Sequence, residues 1–298
     1  MRLSGAGTLV TGASSGIGRA IAVALADAGC RVLLTGRDGP RLAQVAAQTG
    51  GKTLAGDLCE PADLSRIIEA AMSFPVPDLV VHCAGIGRLA RIAEPGGSSG
   101  DDDGGIGEGG IDEGGIGEGG TGNGPDDGRR SRGGGTVGTF RGGGDDDGAR
   151  RLLETNYLAP VRLTRALLPA MLRRGSGRLV FVGSIAGVLG VAGESEYAAS
   201  KAALGTFAAS LGAELSGTGV GVTTLLPGVV ETDFFDRRGT GYQRRFPRPL
   251  PAERVAGAVL RAVERDRAQV VVPGWLRVPI ALQACAPEAY ARLAARWG

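Results

Sequence analysis

The chain has 298 residues, enough to bury a substantial core in one large domain or two smaller ones, and its formal net charge of +2 favours neither nucleic acid nor a membrane surface as a partner. Four scattered cysteines, Cys30, Cys59, Cys83 and Cys285, form no Cys-x-x-Cys pair and have one histidine, His82, for company, which argues against a metal site and for a reducing, cytoplasmic setting. With no charged-then-apolar leader and no apolar run of about 20 residues, no integral membrane span is expected.

Thr8-Leu9-Val10-Thr11 is a short apolar run, and Gly12-Ala13-Ser14-Ser15-Gly16-Ile17-Gly18 separates it from a helical pattern at Ala20, Ile21, Ala24, Leu25 and Ala28. Strand, glycine turn and helix in that order suit a dinucleotide. Backbone N–H groups around Gly12, Ser14, Ser15, Gly16, Ile17 and Gly18 would approach a pyrophosphate, whose charge the positive end of the helix favours. Arg31–Gly36 reads as the second strand, parallel to the first because a helix joins them, and its end overlooks the adenosine ribose. An acidic residue there would bind the 2′-hydroxyl of NAD, and an arginine the extra phosphate of NADP. The strand ends in Gly36-Arg37, so Arg37 points to NADP as the preferred cofactor; NAD is the alternative if the next residue, Asp38, is the ribose ligand.

A helix over Pro40–Gln48 leads to a strand over Lys52–Ala55 and then to Gly56-Asp57-Leu58, which places Asp57, with Leu58 beside it, where a side chain would meet the adenine edge. After a helix over Pro61–Ser73 comes an apolar strand within Asp78–Gly85. The repeated strand–helix order implies one α/β domain, a doubly wound, Rossmann-type parallel sheet flanked by helices, with ligands at the carboxyl ends of the strands. His82 reads as a strand residue satisfied in the core, since nothing beside it would orient it for acid–base work.

Between Gly96 and Gly148 the chain is glycine with acidic runs at 101–103 and 145–147, and its three isoleucines, Ile106, Ile111 and Ile116, recur every five residues. So few apolar groups do not offset the ordering entropy of so many glycines, and a disordered insert hanging in solvent is expected. A calcium-binding β-roll needs a nine-residue repeat, which this segment lacks. Order is expected again from Ala149, with a helix over Arg150–Arg173 that contains Asn156 and is kinked or broken at Pro160 and Pro169. Arg178–Gly183 is the next strand, with Ser184 at its carboxyl end; Val220–Leu226 follows a further helix, and Pro227-Gly228 turns the chain away. A helix over Ala252–Arg265 and a strand over Gln269–Val272 precede a helical extension, residues 273–298. Its Trp275, Leu276, Ile280, Leu282, Tyr290 and Trp297 suit an amphipathic pair serving as core or dimer cover.

The helix between Ser184 and Val220 carries Tyr197-Ala198-Ala199-Ser200-Lys201, and Lys201 is one of only two lysines in the chain, with Lys52. At i and i+4 the phenol and ammonium share a helix face. A phenol that titrates near pH ~10 needs such a neighbour to exchange protons at neutral pH.

Taken together, Thr11–Gly18, Asp57, Cys83-Ala84-Gly85, Asn156, Ser184, Tyr197–Lys201 and Pro227-Gly228-Val229-Val230-Glu231-Thr232 resemble, in order, the motifs of the short-chain dehydrogenase/reductase family. The resemblance implies an NAD(P)-dependent oxidoreductase. Tyr197 would be the general acid/base, Lys201 would tune it and hold the nicotinamide ribose, Ser184 would bind the substrate oxygen, and Asn156 would position a relay water. Further cofactor contacts are implied at Leu58, Cys83, Ala84, Gly85, Pro227, Gly228, Val230 and Thr232. The segment after Thr232, with Phe234, Phe235, Tyr242 and Phe246, corresponds to the family's substrate lid and suits a moderately hydrophobic alcohol or carbonyl compound. Homodimers or homotetramers are common in the family. Cys83 stands where the family usually has asparagine, and a thiol cannot replace an amide's hydrogen bonds. A rival reading is a non-catalytic NAD(P) sensor or scaffold using the glycine–acidic insert as an interaction arm.

Overall fold

Alternation decides which face of each strand is buried against which helices. In strand β1 (Gly7–Thr11), Val10 joins Leu34, Val81, Val180 and Leu225 in one apolar cluster, while Leu9 joins Leu33, Val80, Leu179 and Phe181 in another. The sheet is therefore apolar on both sides, as a parallel sheet covered by helices must be. Strands β2 (Arg31–Gly36), β3 (Lys52–Ala55), β4 (Leu79–His82), β5 (Gly177–Val182) and β6 (Val220–Pro227) follow. Two-residue strands β7 (Val230–Glu231) and β8 (Leu250–Pro251) pair with each other, and β9 (Gln269–Val272) closes the main sheet.

Helices α1 (Gly16–Asp27), α2 (Gly39–Thr49) and α9 (Ala252–Glu264) cover the Val10 face; α3 (Pro61–Ser73), α5 (Ala159–Arg174) and α7 (Ser195–Glu214) cover the Leu9 face. The remaining helices are α4 (Asp146–Leu153), α6 (Ala186–Leu189), α8 (Phe234–Arg237), α10 (Arg277–Cys285) and α11 (Pro287–Trp297). The main sheet is seven-stranded and parallel throughout, in the order β3-β2-β1-β4-β5-β6-β9. Strand order reverses between β1 and β4, and the crevice at their carboxyl ends is where such sheets hold ligands.

The computed structural model describes residues 1–74, 76–88, 146–237, 242 and 247–297. They belong to one unit, Met1–Ile92 with Gly144–Gly298. The expected disordered insert lies outside the described residues apart from its last three, Asp146–Gly148, which are the start of α4; helix thus begins three residues before Ala149. Phe246 also lies outside them.

The long helix expected over Arg150–Arg173 is broken just ahead of Pro160 but not at Pro169. A π turn, Glu154–Leu158, separates α4 from α5, with Asn156 at its centre. Pro160 falls in the first turn of α5, where its missing N–H costs little, and α5 continues through Pro169. His82 is buried, stacked on Phe181 at 4.7 Å and hydrogen-bonded through Nε2 to the Thr164 hydroxyl at 3.0 Å. Burial pushes its pKa down to about 3, so it is neutral at physiological pH.

Candidate active site

The crevice begins with the turn from β1 to α1. Gly12 has φ of +66°, and a Cβ there would stand 2.8 Å from the backbone nitrogen of Ala84; at Gly18 it would stand 2.2 Å from the carbonyl oxygen of Gly12. Only glycine lets this turn lie flat against β4 and fold onto its own helix. Thr11 ties the two strands together. Its hydroxyl donates to the Val81 carbonyl at 3.3 Å and accepts from the N–H groups of Cys83 at 3.0 Å and Ala84 at 3.1 Å. Thr11 received no role of its own in the sequence reading, although its hydroxyl ends the strand just before the glycine turn.

At the end of β2, Asp38 caps α2: its Oδ1 accepts from the Arg41 N–H at 2.9 Å, and its other oxygen pairs with the Arg41 guanidinium at 3.4 Å. Arg37 is half-exposed and stands 4.0 Å from Asp57, whose carboxylate also accepts from Cys59 N–H at 3.0 Å and from Arg151 of α4 at 2.6 Å. Partial burial opposes ionisation of Asp57, but the Cys59 N–H and the guanidinium groups of Arg151 and Arg37 outweigh it and hold the carboxyl below its ordinary range. Nothing in the sequence announced Arg151, because its partner lies 94 positions away.

On the other side of the crevice stands α7. Tyr197 is buried to 8% exposure, packed against Phe234 with ring centroids 5.5 Å apart. Lys201 Nζ lies 6.0 Å from the Tyr197 ring centroid and donates to the Val182 carbonyl, at the end of β5, at 3.0 Å. Burial brings the ammonium down from 10.5 to about 8, with Cys83 nearby opposing the change. The Cys83 thiol is itself pushed up to about 12 by burial, against the pull of Lys201. Ser184 follows β5, its Oγ accepting from the Ala186 N–H at 3.1 Å.

Asn156 sits behind this wall and has no exposed surface. Its Oδ1 accepts from the Ile86 N–H at 2.9 Å, and its Nδ2 donates to the Ile86 carbonyl at 3.0 Å and to Ser200 Oγ at 2.9 Å. Ser200 in turn donates to the Tyr197 carbonyl at 2.7 Å. The π turn thus presents an amide that fixes the backbone after β4 to the helix carrying Tyr197, a common use of such a turn near a site. A Cβ at Gly85 would meet Lys201 Nζ at 3.2 Å and Asn156 Oδ1 at 3.3 Å, which brings three separate stretches of sequence to one point. Ser200, inside the Tyr197–Lys201 stretch, had been given no role.

Every cofactor position expected from the sequence, from Gly12 to Thr232, lines one cleft of about 1790 Å³, as do Ser184 and Tyr197; Asn156 does not reach its surface. The segment from Thr232 to Arg237 borders one side. Thr232 Oγ1 accepts from the Phe234 N–H at 3.3 Å, Arg237 donates to Ser15 Oγ at 2.7 Å, and Asp233 pairs with Arg41 at 2.6 Å.

A doubly wound sheet with a glycine turn at its switch point and a Tyr–Lys helix beside it defines a dinucleotide-binding oxidoreductase. The family profile described as short chain dehydrogenase matches residues 7–96 and 133–243, and the chain belongs to that family, an NAD(P)-dependent short-chain dehydrogenase/reductase. An uncharacterized oxidoreductase of Myxococcus xanthus is 33% identical over 290 residues, 97% of this chain and 95% of the relative. A 3-oxoacyl-(acyl-carrier-protein) reductase of Escherichia coli is 28% identical over 264 residues, 87% of each chain. A solved short-chain dehydrogenase from Burkholderia cenocepacia, in complex with NADP, shares the fold with a TM-score of 0.71 at 22% identity, over 98% of this chain and 99% of that one.

Proposed function

We propose that the protein interconverts an alcohol and a carbonyl on a moderately hydrophobic small molecule, with Tyr197 as general acid/base and NADP(H) as the preferred coenzyme. The cleft suits a dinucleotide by its own structure. The turn at Gly12 admits no Cβ, the N-terminus of α1 opens onto it, and guanidinium groups gather at one end while a buried ammonium stands at the other. Backbone groups at Ser14–Gly18 would hold the pyrophosphate, Arg37 and Asp57 the adenosine, Lys201 the second ribose, and Val230 with Thr232 the nicotinamide edge. When bound, the nicotinamide donates or accepts the hydride.

Tyr197 would protonate the substrate oxygen in reduction and take that proton back in oxidation, with Ser184 Oγ orienting the same oxygen. The ammonium of Lys201 favours the phenolate through its charge, and the Val182 carbonyl keeps it in place. Asn156 and Ser200 hold α7 against the loop after β4, so the phenol keeps one position. A water held near Asn156 would carry protons outward from Lys201. The preference for NADP(H) is supported by Asp38, which is engaged in capping α2, and by Arg37, whose exposed guanidinium is free to turn toward a phosphate at that strand end.

The observation that carries this reading is the convergence of Gly85, Asn156, Lys201 and Tyr197 from three stretches of sequence. Tyr197→Phe is expected to lower NADPH-dependent turnover of a carbonyl panel by about 10²- to 10⁴-fold, with NADPH affinity, read by nicotinamide fluorescence, nearly unchanged. Undiminished turnover removes the mechanism. A homodimer or homotetramer belongs to the same reading through the family alone, and light scattering decides it. Among the described residues no helix is long and apolar enough to cross a membrane.

A further inference from the structure

The far wall of the cleft is built by the C-terminal hairpin. From α10 come Pro279 and Gln283, four residues apart; from α11 come Pro287, Tyr290, Ala291 and Ala294, at the spacing of a single helix face. The opposite face of α11 is charged, Glu288 and Arg292 pairing at 3.8 Å in solvent. Ile280 of α10 packs with Leu226, Val271 and Leu276, so the hairpin is anchored to the sheet through α10. Helix α11 rests on α10, and its described side chains are exposed or half-exposed. Leu276 and Ile280 thus cover the core as the sequence suggested, while α11 adds no buried side chain among its described residues. The hairpin's apolar face looks into the cleft, and two large hydrophobic side chains lining that space, Trp275 and Leu293, are 46% and 48% exposed.

The space is also larger than one ligand requires. At about 1790 Å³ the cleft exceeds the roughly 300–1,000 Å³ of a single drug-sized site, and the hairpin residues line part of it. Its charged lining residues sit toward the Arg37 end, around Tyr197 and at Arg237; among the described side chains none comes from the hairpin, whose Arg277, Glu288 and Arg292 lie outside the lining.

We infer that the substrate carries an extended, uncharged apolar tail, which lies along the hairpin face of α10 and α11 while its carbonyl or alcohol carbon is presented to Tyr197. This rests on the alcohol/carbonyl reading above. The occupant is the tail of the active-site substrate because the hairpin residues and Tyr197 line one and the same cleft.

The test uses straight-chain probes. With NADPH, kcat/KM for methyl ketones from 2-pentanone to 2-dodecanone should rise by up to about fourfold per methylene for several methylenes, mostly through KM. Ala291→Glu, an exposed position on the cleft-facing stripe, should abolish that rise; Arg292→Glu on the outer face should leave the whole series, 2-pentanone included, as in the wild type. Binding is read independently of turnover in a Trp297→Phe background, from Trp275 fluorescence on titration with 1-dodecanol and 1-pentanol plus NADP. Tighter dodecanol binding that Ala291→Glu removes supports the tail site even if no ketone is turned over, a result that would count against the reaction alone. A flat chain-length series, or equal affinity for the two alcohols, overturns the tail site while leaving any Tyr197-dependent turnover intact.

Discussion

At the Tyr197 end of the cleft the polar groups are buried and tied to main-chain atoms, whereas at the Arg37 end the guanidinium groups are exposed and held by ion pairs. Asn156, Ser200 and Lys201 have 0%, 0% and 6% exposure and bond to the carbonyls of Ile86, Tyr197 and Val182. The side chains of Arg37, Arg41 and Asp233 are 57%, 48% and 50% exposed, and the partners in their ion pairs are other charged side chains. A buried polar group without its partner costs about 1–3 kcal/mol, so the first arrangement holds one geometry. An exposed ion pair contributes only about 0–1 kcal/mol, so the second can exchange partners when a phosphate arrives. Chemistry demands a fixed acid; coenzyme entry and exit demand contacts that let go.

Lys201 tests the fixed end most severely. Lys201→Ala should lower turnover by about 100-fold or more, since it removes the charge that favours the phenolate, and should also weaken NADPH binding. Normal binding with only turnover lost would show that Lys201 does not hold the ribose. The wild-type pH dependence has two opposite signs. Because the folded-state pKa lies near 8, below the ordinary 10.5, the unfolded chain binds more protons between those values, and the folded protein gains stability as pH rises from about 8. Turnover should fall over the same window as the ammonium loses its charge. Denaturant midpoints and kcat measured from pH 7 to 10 check both trends, which Lys201→Ala should lack.

Arg37 tests the exchangeable end. Arg37→Ala should weaken NADPH binding by about tenfold or more, the loss of one charged hydrogen bond, and change NADH binding by less than threefold. Equal losses for both coenzymes would mean that Arg37 does not read the extra phosphate. Arg151 complicates the single-residue view in a useful way: it already balances Asp57, so the guanidinium of Arg37 is not required for that purpose.

What the sequence disclosed about these two ends differs for a physical reason. Strand ends, the glycine turn and the Tyr197–Lys201 spacing are local, and local periodicity or sterics are written in neighbouring residues. The strand β9 and the helix α3 fall on their expected residues, and the C-terminal helix pair is present. The links that hold the cleft together are long-range: Thr11 to Cys83, Asn156 to Ile86, Arg151 to Asp57. No pattern within a window of sequence encodes them. The π turn escaped for a related reason. Helical periodicity over 150–173 is nearly continuous, and the interruption falls where Pro160 has no N–H to offer the carbonyl of Asn156, four residues back, and where Asn156 bonds the loop after β4 and α7.

The smallest expected effect is the most pointed comparison of the two ends. Asp233, just before the lid helix α8, accepts from Arg41 of α2, and that bond with its guanidinium neighbours holds its carboxyl below the ordinary range despite partial burial. Asp233→Asn should change stability by less than about 1 kcal/mol, and the difference should vanish in 1 M salt, where screening acts over about 3 Å. Because Arg41 is then released, NADPH affinity at low salt should stay the same or improve by a few-fold. Ser200→Ala offers the opposite case on the fixed end: its partners are buried, so its cost should persist at high salt. A salt-independent loss of stability in Asp233→Asn would place that pair among the fixed contacts and remove the distinction between the two ends.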